Sequence, residues 1–109
     1  MIRRELWTVS GGPGFAGKPR PALIVQGDAY PDTKSVTICP VTSVATESPI
    51  LREPIEPDAG NGLRRSSHVM IDKVTTLSRN RLGRRIGLLA AEDMTRVDRA
   101  LLVFLGLAG

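Results

Sequence analysis

Three apolar runs in this chain end on residues that can do chemistry. Arg20 opens "RPALIV" (20–25), Thr42 and Ser43 close "SVTICPVTS" (35–43), and Asp72 and Lys73 close "SSHVMIDKV" (66–74). Apolar runs of this length belong to buried strands, and a strand end is a rigid support for a side chain at the rim of a fold. An arginine there presents a planar fork that suits phosphate or carboxylate oxygens. Each residue also has a plainer explanation: a surface salt bridge for Arg20, a hydroxyl bonding to backbone for Thr42, a turn cap for Asp72. Alternation places His68, Met70 and Asp72 on one face of their strand, with Val69 and Ile71 on the other. His68 and Asp72 would then lie about 13 Å apart at ~3.3 Å per residue, too far to form a pair.

Other chemistries are absent. Cys39 is the only cysteine and His68 the only histidine, which removes an internal disulfide and any multi-His or multi-Cys metal site. "SGGPG" (10–14) lacks the Lys-Ser/Thr ending of a phosphate-binding loop. No apolar stretch approaches the ~20 residues of a membrane span, and "MIRRELW" has no apolar signal region, so a cytoplasmic protein is expected. The formal net charge is +4 over 109 residues. One domain (1–109) accommodates that length, and the basic balance points to phosphate-rich or acidic partners. Residues 79–85, "RNRLGRR", hold four arginines: a solvated face, or a contact for RNA or an acidic peptide.

The elements that must position these residues are short. "ELWTV" (5–9), "RPALIV", "SVTICPVTS", "SSHVMIDKV" and "RRIGLLA" (84–90) read as strands, with one more around Ile50 to Ile55 inside the irregular segment 44–63. Pro40 suggests an edge or a bulge in the third strand. "TTLSRNRLG" (75–83) reads as a turn with one helical turn. From Ala91 to Leu105 the period changes to that of an amphipathic helix, apolar at Met94, Val97, Ala100, Leu101, Phe104 and Leu105, which Gly106 ends. Trp7 and Phe104 are expected in the core. No connection before residue 75 carries the helix a parallel crossover needs, so antiparallel pairing in a small, bent sheet or barrel is expected.

Taken in order, the segments resemble the MazF/PemK-like toxins of toxin–antitoxin systems. "RRELWTV" resembles that family's opening strand, usually Arg-Gly-Asp/Glu-x-Trp. "RPALIV" resembles its "RPALVV", and "VTICPVTS" its "VVVAPITS". "SSHVMIDKVTTLSRNRLGRRIGLL" resembles its Ser-x-x-x-x-Asp-x-x-x-Thr-x-x-x-x-Arg-Leu segment, and the final helix with "LGL" completes the series. The resemblance implies a mainly β fold with a C-terminal α-helix, a small SH3-like barrel of the CcdB/MazF type, paired as a homodimer. It implies a metal-independent, sequence-selective endoribonuclease acting on single-stranded RNA without a cofactor, and a cognate antitoxin whose acidic, partly disordered tail covers the RNA groove. The family's active-site arginine and threonine fall on Arg20 and Thr42, and an acidic residue used by some members falls on Asp72. Lys18, Ser43, His68, Lys73 and Arg79 would touch RNA, with Phe15 and Tyr30 as stacking platforms. Four features depart from the pattern, one being the helix start "LAAED", which lacks the family's usual serine N-cap. The first loop, "GPGFAGKPRP", holds no carboxylate or histidine, Arg4 replaces a glycine, and Met70 stands where one branch has arginine.

Metal-free RNA cleavage uses the ribose 2′-OH as nucleophile and leaves a 2′,3′-cyclic phosphate. Arg20 would clamp the phosphate oxygens and the Thr42 hydroxyl would donate to another. Asp72, His68 or water would accept the 2′ proton. Two other functions stay open on the sequence: a CcdB-like gyrase poison, against which the ending "LGLAG" without tryptophan counts, and a catalytically weak module that binds RNA or the antitoxin.

Overall fold

The unbroken apolar run after Arg20 is explained by burial on both faces. In the computed structural model, which describes residues 2–10, 18–44 and 51–109, the second strand carries Leu23 into one core and Ala22 and Ile24 into another. A strand covered on both sides has no solvent face to make polar. The described elements are β1 (Glu5–Val9), β2 (Arg20–Ile24), β3 (Ser35–Thr42), β4 (Arg52–Ile55), β5 (Ser67–Met70), β6 (Thr75–Ser78), β7 (Leu82–Leu88) and α1 (Ala91–Phe104).

All the pairings are antiparallel, in the order β4-β5-β3-β2-β1-β7, with β6 also on β3. Strand β3 organises the sheet. One edge pairs with β2 (Ile38 to Pro40), while the other changes partner from β6 (Ser35 to Ile38) to β5 (Val41 and Thr42). That change bends the sheet into an open, barrel-like form whose ends, β4 and β7, do not pair with each other. Pro40 lies at the changeover, opposite Ala22 and without a ladder partner on the other edge. Of the edge or bulge that Pro40 suggests, the edge is excluded, because β3 has partners on both sides. The proline is accommodated where the ladder on that side is interrupted.

One core lies between the sheet and α1 and is built from Leu6, Leu23, Val41, Val69, Ile71 and Leu89 with Met94 and Val97 of the helix. The other holds Val9, Ile24, Val36, Ile38 and Leu77, with Trp7 half-buried against it. The helix ends in a Schellman motif: Gly106 takes a φ of 76°, its N–H donates to Val103 O, and Leu107 N–H donates to Leu102 O.

Three expectations need correction. Residues 75–78 form strand β6 rather than a turn, because β-branched Thr76 meets Thr37 across the pair, their hydroxyls 2.6 Å apart. The helical turn is shorter and later, a 3₁₀ turn at Arg79–Arg81. Phe104 is not core: it is 40% exposed at the end of α1.

Two residues of the first strand region show how tightly its start is held. Arg4, where the resembling family carries glycine, has a φ of 80°, a conformation that costs a residue with a side chain about 1–2 kcal/mol. The guanidinium offsets this by donating to Leu89 O through Nε and Nη2 at 3.1 and 2.9 Å. Glu5 is buried, and burial pushes its carboxyl up. The Ile2 amide, Arg85 and the Trp7 indole outweigh that and hold it below its ordinary value of 4.5. A depressed folded-state pKa contributes stability above the unfolded value, and that stability is lost as pH falls through the folded one. The thermal midpoint should therefore fall as pH drops below about 4.5. Glu5→Gln should cost about 1–2 kcal/mol of stability at pH 7 and flatten the acid limb of the midpoint. An acid limb unchanged in the variant would assign the effect elsewhere.

Candidate active site

The register of the central strands brings the predicted arginine and threonine together. Ala22 pairs with Pro40 and Ile24 with Ile38; carried two residues outward, the same register sets Arg20 across from Thr42. Directly opposed residues in an antiparallel pair point to the same face. Both side chains line one cleft of about 580 Å³. The rest of its polar side is Ser43, Arg64, Arg65, Ser67 and Lys73, and its apolar side includes Val44, Leu63 and Met70.

The electrostatics of the cleft are one-sided. Four cationic side chains line it, and no carboxylate does among the described residues. Arg20, Arg64 and Arg65 are exposed, whereas Arg3 is bonded to Asp98, Arg52 to Asp72 and Arg85 to Glu5. Thr42 Oγ1 accepts the Val44 N–H at 3.1 Å. That occupies a lone pair and leaves the hydroxyl proton to donate outward. The lining residues described include no imidazole, thiol or carboxylate, so they form no donor set for a divalent cation. Cys39 is fully buried, and burial pushes its thiol up to about 12, with Arg3 opposing and Asp72 adding to the shift. It is no nucleophile.

The other predicted site residues are dispersed. Ser43 and Lys73 line the cleft. Lys18 is exposed two positions before Arg20. His68 pairs across from Thr42 in the sheet but does not line the cleft, and its Nδ1 is buried without a hydrogen-bond partner among the described residues. Asp72 does not follow the expected alternation. Strand β5 stops at Met70, and Ile71–Lys73 form a 3₁₀ turn that points the Asp72 carboxylate at Arg52 Nη1, 2.6 Å away. Asp72 is not among the lining residues. Tyr30 and Arg79 sit by the first residue of β3, where Arg79 donates to Tyr30 O and Thr33 O. They are roughly 23 Å from Thr42 along that strand at ~3.3 Å per residue. Phe15 lies outside the described residues.

Arg64 and Arg65 are the cleft residues that sequence reading passed over. The only signal was their doublet after "GNG", and the longer run at 79–85 drew attention instead. That run is largely knitted into the fold: Arg79 clasps the 27–34 loop, Arg81 donates to Ser10 O, and Arg85 pairs with Glu5.

The chain is 50% identical over 109 residues, the full length of both, to a probable endoribonuclease MazF of Mycolicibacterium smegmatis. Its fold matches the Mycobacterium tuberculosis toxin MazF-mt6 with a TM-score of 0.79 at 27% identity, covering 97% of this chain and 100% of that one. It matches a MazE–MazF structure from Deinococcus radiodurans with a TM-score of 0.75 at 28% identity, covering 97% and 95%. Residues 2–105 match the family described as PemK-like, MazF-like toxin of type II toxin–antitoxin system. With the fold and the ordered motifs in agreement along nearly the whole length, the chain belongs to the PemK/MazF toxin family.

Proposed function

We propose that this chain is an endoribonuclease that cuts single-stranded RNA without a metal ion, acting as the toxin of a type II toxin–antitoxin pair in the cytoplasm. The observation that carries the reading is the convergence of Arg20 and Thr42 on one cleft lined by four cations. The relative of equal length and 50% identity is named as an endoribonuclease.

In the proposed reaction the ribose 2′-oxygen attacks the adjacent phosphorus. The new O2′–P bond forms, the P–O5′ bond breaks, and a 2′,3′-cyclic phosphate and a 5′-hydroxyl remain. A guanidinium stays charged at neutral pH, so Arg20 serves as an electrostatic clamp on the phosphorane oxygens, and the Thr42 hydroxyl donates to a third oxygen. Of the proton acceptors open on the sequence, Asp72 is held by Arg52 and His68 does not line the cleft. Water takes the 2′ proton and protonates the departing 5′-oxygen.

The test is to incubate the protein with a long RNA in excess chelator and map the ends. Cyclic phosphates at discrete sites are expected. An intact RNA would remove the nuclease reading and favour a module that only binds. The antitoxin suits the same cleft: an acidic tail laid along four cations would exclude the RNA.

The homodimer has its own support. Leu102, Val103, Phe104, Leu105 and Leu107 are 40–73% exposed at the end of α1. An apolar patch of this kind on a small domain marks an interface, and a second copy covers it isologously. Light scattering should give a dimer for the wild type and a monomer for Phe104→Asp/Leu105→Asp. A dimeric double variant would move the interface elsewhere.

A further inference from the structure

The loop between β4 and β5 supplies half of the cleft's positive charge through two consecutive arginines, Arg64 and Arg65. Their surroundings are fixed rather than loose. Ser67 is buried, and its hydroxyl donates to Arg65 O at 2.9 Å. Ser66 Oγ donates to Glu56 Oε2 at 2.5 Å. Leu63 N–H donates at 2.9 Å to the side chain of Asn61, which is fully buried. Side-chain hydrogen bonds thus pin the loop on both sides of the doublet, while the two arginines are exposed with no carboxylate beside them among the described lining residues. The same fold pairs Arg3, Arg52, Arg85 and Arg96 with acidic partners. Two adjacent like charges held side by side repel one another, and a shared anion relieves that repulsion.

The position defines which anion. Arg20 and Thr42 take the phosphate that reacts. Arg64 and Arg65 line the same cleft from a different strand connection, beside the apolar group of Leu63, Met70 and Val44. A strand of RNA whose reacting phosphate lies at Arg20 brings its neighbouring phosphate along the cleft, with the intervening nucleoside against the apolar side. From this placement, and resting on the reading of the cleft as an RNA site, we infer that Arg64 and Arg65 hold a second, flanking phosphate. The shortest substrate that uses the whole site then carries two consecutive phosphates. The two arginines are positioning residues: they set affinity and register and take no part in the bond change.

Arg64→Ala/Arg65→Ala tests this, because both side chains are exposed and their removal leaves the loop's bonds in place. The first readout is binding of a labelled, mixed-sequence 2′-O-methyl oligonucleotide, which cannot be cut by its own 2′-oxygen, across a salt series. For the variant, Kd should rise at least tenfold and the slope of log K against log salt should become shallower by about 0.7, the value for one phosphate on a single strand. Arg64→Lys/Arg65→Lys should restore the slope. The second readout is cleavage: KM for a long RNA should rise with kcat within twofold, while kcat/KM for a dinucleoside monophosphate, which has no flanking phosphate, should not change. The thermal midpoint should stay that of the wild type. An unchanged Kd and slope would overturn the inference. So would weakened binding of poly-glutamate with RNA binding intact, which would assign the doublet to an acidic protein partner. If the oligonucleotide binds with the expected change in slope but wild-type protein leaves RNA uncut, the nuclease reading fails and the phosphate site stands.

Discussion

Arg20→Ala should lower kcat on a single-stranded RNA by about a thousandfold, roughly 4 kcal/mol of transition-state stabilisation, while the thermal midpoint stays within ~2 °C of wild type. The stability half follows from Arg20's exposure and from its having no ion pair with the described residues. The activity half follows from geometry. A phosphorane gathers charge on its equatorial oxygens, and a fork aimed at two of them acts more strongly on the transition state than on the ground state. Arg20→Lys separates charge from fork. The ammonium keeps the field but cannot bind two oxygens in one plane, so its kcat should fall between those of the wild type and the alanine variant. Cleavage at the wild-type rate by the lysine variant would remove the clamp. Thr42→Val, which keeps the side-chain volume and deletes the hydroxyl, should cost about a hundredfold, and the double variant should cost less than the product of the two because both groups serve one set of oxygens. With water as proton acceptor, log kcat should rise with pH without the plateau that a side-chain base would impose. A plateau would return the base to a residue of the chain.

The strands and the helix could be read from the sequence where a local pattern and a local cause coincide. "ELWTV" became β1 over the same residues, and the apolar positions Met94 and Val97 became the buried face of α1. The Arg20–Thr42 pair was legible for the same reason, since each residue ends an apolar strand. What escaped depends on partners far along the chain. Thr75 to Ser78 look like a turn until Ser35 to Ile38 lie beside them. Asp72 looks like the next residue of an alternating strand until Arg52 draws it aside. Phe104 carries a core residue's chemistry and a core residue's spacing, yet α1 runs past the body of the sheet and leaves it half in solvent. The arginine runs show the limit most clearly. Charge density in the sequence is equal for structural and ligand-binding arginines, and only the location of the carboxylates separates them.

The "GNG" at 60–62 is less conspicuous still, and Asn61→Ala should show its weight. Asn61 is fully buried. Its Oδ1 accepts from Asp58 N at 3.3 Å and Leu63 N at 2.9 Å, and its Nδ2 donates to Glu56 O at 2.9 Å. One side chain thus supplies the hydrogen bonds that a regular ladder would give this segment. The glycines on either side have related roles. Gly62 takes a φ of 71°, and Gly87 of β7 passes so close beneath that a Cβ there would run into the backbone of Gly60 and Asn61. Truncation to alanine empties a buried site and leaves three part-buried backbone groups short of a partner, at about 1 kcal/mol each. A total loss of about 3–4 kcal/mol is expected, a large share of the ~5–15 kcal/mol that holds a domain of this size together. The thermal midpoint should fall by more than about 10 °C. Because Leu63 leads directly into Arg64 and Arg65, RNA affinity should fall too, at temperatures where the variant is still folded. Gly87→Ala should reproduce both effects from the opposite side of the contact, with the Asn61 side chain left in place. A destabilised Asn61→Ala variant with wild-type affinity would mean that the doublet holds its place without the loop behind it.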